Sequence, residues 1–395
     1  MKIAYAGTLP PHPGGSAILG GALLSGLARR GHEVAAIAPI TAAALEQGDA
    51  LAHASFDVTR YLIPDFESAP NNPASDDFRA LEKRSVASRL GPLLETMRAD
   101  LVIAGRETFA SHVPALARDH GVPCVVLAQG GTTWGLLAGA YPSNLARTLL
   151  DGLGQADRVI AVARHLADRL RELQLERVDV VPNAVDPQKF TPAPPDPALM
   201  RSLGIPSGRV VVSHVSNLKD IKRPLDIAHS AVQTLGRDPR LVYVIVGDGP
   251  CRSEMEAECK RAGIFEHFRF VGWVPHDEVS RHLNLADIVL MPSEVEALAL
   301  VYLETQACGR VLIASDIAAA REVVNDGVTG ILHNVGDSSA LAEATLRAAA
   351  DPGLRAAIGA RARSFAAARP FDTALAEYEA IFAAVTQQRA TLIAR

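Results

Sequence analysis

The chain reads IVLMPSEVEALALVYLE from residue 288 to residue 304: an apolar run, a loop and then a helical pattern. The apolar run is typical of a buried strand, and the helical pattern begins near Ala299. A strand, a loop and a helix in this order form one unit of a parallel α/β sheet. The stretch therefore predicts such a sheet, with a ligand site where the strand ends.

Two carboxylates flank the start of this helix, since Glu296 precedes it and Glu304 lies about one turn inside it. The unpaired backbone N–H groups of a helix N-terminus favour a diphosphate there. Glu304 can accept hydrogen bonds from a ribose, and Glu296 from hydroxyls of a sugar. The pattern thus fits a nucleotide sugar held at both ends. The alternative is a capped amphipathic helix that carries surface charges.

The composition is typical of a globular protein of two or three domains, with 395 residues of which 48% are hydrophobic and 21% charged. The net charge is -5 and no basic tract occurs, which argues against nucleic-acid binding. The cysteines form no C-x-x-C pair and no zinc-like cluster, so we expect reduced, buried thiols and no metal site. They are Cys124, Cys251, Cys259 and Cys308.

The N-terminus predicts no export signal, because its apolar run is broken at Gly7 and again at Pro10. No uninterrupted apolar stretch reaches membrane-spanning length. We therefore expect a cytoplasmic protein. A helix at 76–98 carries basic residues that predict at most a peripheral membrane contact, and a solvated helix face explains the same charges.

Short apolar runs alternate with helical patterns in two series, which is typical of parallel α/β sheets. The first series comprises 2–6, 34–38, 101–103, 122–128 and 159–162. The second comprises 210–215, 242–246, 268–271, 288–291 and 311–314. A proline-rich connector at 182–195 separates them, and we place the interdomain hinge there. We therefore predict one Rossmann-like domain at 1–185 and a second at 186–370.

Small or cationic residues follow several predicted strands, where parallel sheets bind ligands. Gly14 and Gly15 follow the first strand and allow close approach of a phosphate, or simply make a turn. Lys222 and Arg223 follow 210–215, where either can neutralise a diphosphate or form a solvated basic turn. Turns after the next two strands can enclose a base or serve only as turns, and their residues include Gly247, Trp273 and Val274.

In this order and over this length, these segments resemble the retaining glycosyltransferases of family four, which have the GT-B fold. The resemblance covers nearly the whole chain, and its most specific parts are Asn217, Lys222 and the segments 246–250, 272–275 and 292–309. The residues at 216–223 are most similar to the N-acetylglucosaminyl malate synthase branch of bacillithiol synthesis, where the family's usual arginine is likewise an asparagine.

The resemblance implies transfer of a sugar from a nucleoside diphosphate donor, with retention of anomeric configuration and without a metal ion or cofactor. It also implies two Rossmann-like domains that face each other across a deep cleft and close over the donor. The N-terminal domain would bind the acceptor and the C-terminal domain the donor. A last helix, at 371–395, would complete the N-terminal domain.

Carried over residue by residue, the resemblance assigns Lys222 to the donor phosphates, Glu304 to the ribose and Glu296 to the sugar hydroxyls. It places Gly14 and Gly15 on the phosphate or acceptor side. The catalytic candidates are Lys222, Glu296 and Gln129. The further donor-site candidates are Asn217, Arg223, Gly247, Trp273, Val274, Leu298, Ala299, Leu300 and Val301.

The chain departs from the family's pattern at three places, one of which is 317–322, where relatives often carry Gly-Gly and this chain has alanines. Many members read Glu-Gly-Phe-Gly where this chain has Glu296-Ala297-Leu298-Ala299, and a methyl group there would crowd the donor if φ were positive. Many relatives carry a histidine where this chain has Gln129, whose amide can bind a hydroxyl but cannot change charge near neutral pH.

Two functions from different classes stay open. One is an active transferase that moves a sugar, expected to be uridine diphosphate-linked as in UDP-GlcNAc or UDP-glucose, to a small-molecule or saccharide acceptor. The other is a catalytically silent subunit that binds a nucleotide sugar. A GT-B epimerase fits less well because of the E-x7-E spacing. Pairing with a second copy of the chain stays open, and the histidines at 32, 165, 214 and 276 are interpreted as structural.

Overall fold

The computed structural model describes residues 1–46, 51, 54–63 and 76–393. The chain divides into two compact units. The first comprises Met1–Pro182 with Asp372–Arg395, and the second comprises Asn183–Phe371. Each unit is built on one parallel sheet, so the α/β fold class with two Rossmann-like sheets is confirmed.

The first unit contains seven strands: β1 (Lys2–Ala6), β2 (Glu33–Thr41), β3 (Asp57–Ile63), β4 (Leu101–Ala104), β5 (Cys124–Ala128), β6 (Arg158–Ala161) and β7 (Val178–Val180). Their order in the sheet is β3-β2-β1-β4-β5-β6-β7. β4 and β5 are buried along their whole length, as expected where helices cover both faces of a parallel sheet. The helices are α1 (Gly15–Arg29), α2 (Ala42–Glu46), α3 (Asp76–Met97), α4 (Val113–Asp119), α5 (Gly131–Leu137), α6 (Ser143–Gln155) and α7 (Arg164–Glu172), with a 3-10 turn at Glu107–Ser111.

The second unit contains six strands: β8 (Val210–Val215), β9 (Leu241–Val246), β10 (Phe268–Gly272), β11 (Ile288–Met291), β12 (Val311–Ser315) and β13 (Ile331–His333). Their order is β10-β9-β8-β11-β12-β13, so the direction of winding reverses between β8 and β11. The helices are α8 (Pro197–Ser202), α9 (Pro224–Leu235), α10 (Arg252–Arg261), α11 (His276–Leu283), α12 (Leu300–Ala307), α13 (Ala318–Arg321), α14 (Ser338–Ala350) and α15 (Pro352–Ala367), with 3-10 turns at Asp220–Lys222 and Phe265–His267.

Three strands at sheet edges, β3, β7 and β13, are absent from the sequence prediction. β7 and β13 have only three residues each, which is too short for a pattern to stand out. β3 is more exposed than the central strands. Burial on both faces favours apolar runs in the central strands of each sheet, and these strands were predicted. The edge strand β10 was predicted as well, although it is only partly buried.

Most of the proline-rich connector packs on the second unit. Val185 and Phe190 are buried, and the Asn183 side chain donates a hydrogen bond to the Leu298 carbonyl at 2.7 Å. The division between the units falls at Pro182 and Asn183. The connector is thus anchored beside the start of α12.

The last helix, α16, spans Phe371–Ile393. Tyr378 and Phe382 on this helix are buried. The Glu379 carboxylate accepts a hydrogen bond from Arg30 at 2.5 Å and contacts His32 Nε2 at 2.9 Å. These contacts anchor α16 on the first unit. In the part of the chain that the structure describes, we find no helix with the length and apolar character of a membrane span.

Candidate functional site

The loops after β8 and β11 lie side by side, because these two strands are neighbours at the reversal in the second sheet. In α/β sheets such a reversal leaves a crevice beyond the strand ends, and ligands bind there. The loop after β8 carries Lys222 and the loop after β11 carries Glu296. The Glu294 N–H donates to the Ile221 carbonyl at 2.8 Å, which joins the two loops.

Lys222 and Glu296, two of the predicted catalytic residues, form an ion pair. Lys222 Nζ lies 2.5 Å from Glu296 Oε1, and the side chains are 16% and 8% exposed. Each side chain is poorly solvated, so each charge is stabilised by the other. The structure therefore brings a cation and a carboxylate together at the crevice.

The N-terminus of α12 lies beyond the same loop. Ala299 caps the helix with φ −64°, and Leu298 is buried beneath it. The first backbone N–H groups of a helix have no partner within the helix, so those of Leu300 and Val301 are available to an anion. The four non-glycine residues with positive φ in the described chain do not include Ala297 or Ala299. The condition under which their methyl groups would crowd a donor is therefore not met.

Glu304 on α12 is 5% exposed and contacts His276, the first residue of α11. His276 Nε2 lies 2.6 Å from Glu304 Oε1, and Lys189 Nζ lies 3.1 Å from His276 Nδ1. The sequence interpretation of His276 as merely structural misses this contact. The signal that could have indicated it is its position directly after the Gly272–Pro275 turn.

Arg223, the second candidate for the phosphates, is held by two carboxylates. Its Nε donates to Asp226 at 2.7 Å and its Nη1 to Glu294 at 3.5 Å. Lys222 is thus the cation that contacts Glu296, whereas Arg223 contacts Asp226 and Glu294. The half-buried Asn217 lies on the same loop after β8.

The loops after β8, β9 and β10 are tied together by backbone contacts. Gly247 has φ +113°, its N–H donates to the Gly272 carbonyl at 2.7 Å, and a Cβ there would lie 1.8 Å from the Ser216 carbonyl oxygen. Only glycine fits such a position. Beside it, Trp273 is 55% exposed, whereas Val274 packs on the core. The exposed indole is thus presented at the strand ends.

In the first unit, Gly14 and Gly15 form the junction between the loop after β1 and α1. Gly14 caps α1 with φ +108°, and a Cβ added there would meet nothing within 4 Å. Gly15 is the first residue of the helix. The space beside this helix N-terminus is therefore open to a ligand.

Gln129 is anchored rather than free. Its side-chain amide donates to the Gly105 carbonyl at 3.0 Å, at the end of β4. The neighbouring Gly130 N–H and the Thr133 hydroxyl both donate to Glu107 Oε1, at 2.7 and 3.1 Å. Glu107 is 2% exposed and is absent from the sequence prediction, although it lies only three residues after the end of β4. It fixes the loop that carries Gln129.

Two histidines are buried in a neutral state. Burial lowers the pKa of His214 to about 4, and the ring contacts the Leu290 carbonyl at 2.8 Å and the Ser216 hydroxyl at 2.7 Å. Burial also lowers the pKa of His112 to about 4. These contacts hold His214 inside the second sheet, and its structural role stays a prediction.

No group of three or more histidine, cysteine, aspartate or glutamate side chains in the described residues could hold a metal ion. All four cysteines are buried and unbridged.

Two family models together match most of the chain. Residues 13–189 match the model described as Glycosyltransferase Family 4, and residues 196–365 match Glycosyl transferases group 1. The chain belongs to family four of the glycosyltransferases.

Several named relatives share sequence with this glycosyltransferase. A D-inositol 3-phosphate glycosyltransferase of Actinosynnema mirum is 34% identical over 57% of the chain and 58% of its own length. A GDP-mannose-dependent alpha-(1-6)-phosphatidylinositol monomannoside mannosyltransferase of Mycolicibacterium smegmatis is 29% identical over 90% and 91%. An N-acetyl-alpha-D-glucosaminyl L-malate synthase of Bacillus anthracis is 27% identical over 92% of each chain. The malate branch is one of several with comparable similarity.

Solved structures of other proteins share the fold of this glycosyltransferase. HepE of Anabaena in complex with UDP aligns with a TM-score of 0.75 at 20% identity over the whole of both chains. Sucrose-phosphate synthase of Thermosynechococcus elongatus aligns with a TM-score of 0.80 at 18% identity over 97% of this chain and all of that one. The fold is therefore GT-B, as the sequence resemblance implies.

Proposed function

We propose that this chain is an active, retaining glycosyltransferase that moves a sugar from a nucleoside diphosphate to a small-molecule or saccharide acceptor without a metal ion. The observation that carries the proposal is the Lys222–Glu296 ion pair at the crevice of the second sheet, beside the N-terminus of α12. The cation and the helix N-terminus can bind a diphosphate, and the carboxylate can accept hydrogen bonds from the hydroxyls of a sugar.

Lys222 and the first amides of α12 meet the charge of the donor diphosphate. As the sugar leaves, negative charge grows on the phosphate oxygens, and fixed donors that point at them stabilise the transition state. Lys222 then exchanges its contact with Glu296 for the phosphate. Because this charge is met by the chain itself, the proposal requires no metal ion.

Glu296 and Glu304 hold the two ends of the donor in this proposal. Once Lys222 turns to the phosphate, the Glu296 carboxylate accepts hydrogen bonds from hydroxyls of the transferred sugar. Glu304, inside α12, accepts from the ribose. The exposed indole of Trp273 at the neighbouring strand end is placed to pack on a nucleobase.

Retention requires the acceptor to attack from the face that the diphosphate leaves. The bond between the anomeric carbon and the phosphate oxygen breaks, the bond to the acceptor oxygen forms, and the acceptor proton passes to the departing phosphate. No separate base is needed. Gln129, Gly14 and Gly15 in the first unit are proposed to serve the acceptor or the phosphate side.

The donor nucleotide is proposed to be uridine diphosphate, supported by structural neighbours solved with UDP. One relative is named for GDP-mannose, so guanosine is the first nucleotide to compare. Relatives named for D-inositol 3-phosphate and L-malate support a small hydroxylated acceptor.

A panel of uridine, guanosine and adenosine diphosphate sugars tests the proposal. Purified protein is incubated with each donor in EDTA, and thermal stabilisation and slow release of the nucleoside diphosphate are measured. The proposal expects one donor to stabilise the protein and be hydrolysed, and Lys222→Met to lose the hydrolysis. Binding without turnover, even with mixed acceptors, would favour the silent nucleotide-sugar-binding subunit. No binding by any donor would overturn the assignment of the site.

A further inference from the structure

Lys189 and His276 form a chain of side-chain contacts that ends on the buried carboxylate of Glu304. Lys189 Nζ lies 3.1 Å from His276 Nδ1, and His276 Nε2 lies 2.6 Å from Glu304 Oε1. All three residues belong to the second unit, but they come from the connector, α11 and α12. The proposed function uses only Glu304.

The direction of these hydrogen bonds follows from the chemistry of the groups. A lysine ammonium can only donate, so His276 Nδ1 must accept from Lys189. In a neutral imidazole the other nitrogen then carries the proton, so Nε2–H donates to Glu304 Oε1. Lys189 therefore selects the tautomer that points a donor at the carboxylate.

His276 is itself held in place. Its ring packs on Phe190 with the ring centres 5.4 Å apart, and Phe190 is 3% exposed. Its backbone begins α11 directly after Pro275, and the ring is held by its contacts with Lys189, Glu304 and Phe190. A fixed donor of this kind sets the rotation of the carboxylate that it contacts.

In the described residues, the carboxylate of Glu304 makes its side-chain hydrogen bond through Oε1. With Oε1 engaged by His276, Oε2 is the oxygen that we expect to accept from a ligand. A ribose presents two neighbouring hydroxyls that donate to one carboxylate oxygen or straddle both. A carboxylate held at one orientation binds them better than one that rotates freely, because less side-chain entropy is lost.

We propose that His276, oriented by Lys189, is a positioning residue that fixes the Glu304 carboxylate for the ribose hydroxyls of the nucleotide. This inference rests on the proposed function. It makes discrimination between ribonucleotides and 2′-deoxyribonucleotides depend on a histidine that does not touch the ribose itself.

Two substitutions of His276 separate positioning from a general structural role. Glutamine places an amide N–H about as far from the backbone as Nε2, whereas the amide of asparagine falls short of Glu304. Both side chains are polar and uncharged amides. His276→Gln should therefore keep the contact with Glu304, and His276→Asn should lose it.

The experiment measures dissociation constants for UDP and 2′-deoxy-UDP by calorimetry, with GDP and 2′-deoxy-GDP as a second pair. A hydrogen bond to a carboxylate predicts a preference of about tenfold or more for the ribonucleotide in the unchanged protein. The preference should vanish in Glu304→Ala, fall at least threefold in His276→Asn, and persist in His276→Gln. Lys189→Met should lower it as well, since Nδ1 then loses its fixed donor. Circular dichroism and thermal unfolding establish that each variant is folded.

The outcomes distinguish failure of this inference from failure of the proposed function. If UDP, GDP and ADP all fail to bind the unchanged protein, the proposed function fails and the inference with it. If UDP binds with a ribose preference that His276→Asn leaves intact, the proposed function stands and the inference is overturned. An equal loss in the glutamine and asparagine variants also overturns it, because the residue would then act through packing alone.

Discussion

Lys222 Nζ lies 2.5 Å from Glu296 Oε1, although the two residues are 74 positions apart in the sequence. They meet because β8 and β11 are neighbours where the strand order of the second sheet reverses. Both side chains are largely buried, so each charge depends on the other. The first two predictions follow from this crevice and from the loop that leads to α12.

Lys222→Met should lower the rate of sugar transfer by about 100-fold or more, since removing one fixed donor to a developing oxyanion costs 10² to 10³ in turnover. Steady-state kinetics with the donor found in the panel measure the loss. Lys219→Met, three residues earlier on the same loop and exposed, is the matched control and should retain nearly full activity. If Lys222→Met were as active as the unchanged protein, Lys222 would have no role in catalysis.

Restoring glycine at Ala297 and Ala299 should change the donor dissociation constant by no more than about twofold. Neither alanine has positive φ, so the methyl groups impose no strain that glycine would relieve. Calorimetry on Ala297→Gly, Ala299→Gly and the double variant measures the effect. A tenfold gain in affinity would mean that the methyl groups do crowd the donor.

Gly247→Ala should destabilise the second unit far more than Gly263→Ala. Both glycines have positive φ, which costs an alanine about 1 kcal/mol or more. Only at Gly247 does a Cβ collide with backbone, 1.8 Å from the Ser216 carbonyl oxygen, whereas nothing lies within 4 Å of one at Gly263. Denaturant unfolding measures the free energy of unfolding of the two variants. Equal losses of stability would contradict the close approach between Gly247 and the Ser216 carbonyl.

The stability of the second unit should fall as pH drops from about 6.5 to about 4. His214 is neutral in the folded chain because burial lowers its pKa to about 4, while in the unfolded chain it binds a proton below about 6.5. The unfolded state therefore binds more protons in this window, and on the order of 3 kcal/mol is lost across it.

His214→Gln is the comparison for this pH dependence. The variant should be less stable than the unchanged protein at pH 7 but lose less on acidification. Unfolding midpoints in urea at several pH values measure both slopes. Parallel slopes would show that His214 does not carry the effect.

Trp273 should report nucleotide binding by its fluorescence, because its indole is 55% exposed at the strand ends of the second sheet. The chain has two tryptophans, and the other, Trp134, stacks on His165 in the first unit. A saturable change on adding UDP is expected in Trp134→Phe and should be absent in Trp273→Phe. A change that survives in Trp273→Phe would place the nucleobase elsewhere.

The central strands of both sheets could be predicted from the sequence because burial on two faces favours a run of apolar residues, as in 288–291 and 311–314. The edge strands β3, β7 and β13 could not, since short or half-exposed strands leave no such run. The individual residues of the crevice could also be predicted from the sequence, because each of them follows a recognisable strand.

The contacts between those residues could not be predicted from the sequence, because they depend on the order of the strands in the folded sheet. The contact between His276 and Glu304 joins two helices that no local pattern relates. Glu107 was missed for a similar reason, since its partners Gly130 and Thr133 follow a different strand. The sequence also did not show that Lys222 contacts Glu296 whereas Arg223 contacts Asp226 and Glu294.

The central claim is transfer with retention by Lys222 and Glu296 without a metal ion. Its most direct test follows the anomeric proton of the first-formed sugar product by NMR, with the α-linked donor selected by the panel and EDTA present. The account predicts an α product first, at a rate insensitive to EDTA and lost in Lys222→Met. A β product, or the same rate in Lys222→Met, would contradict it.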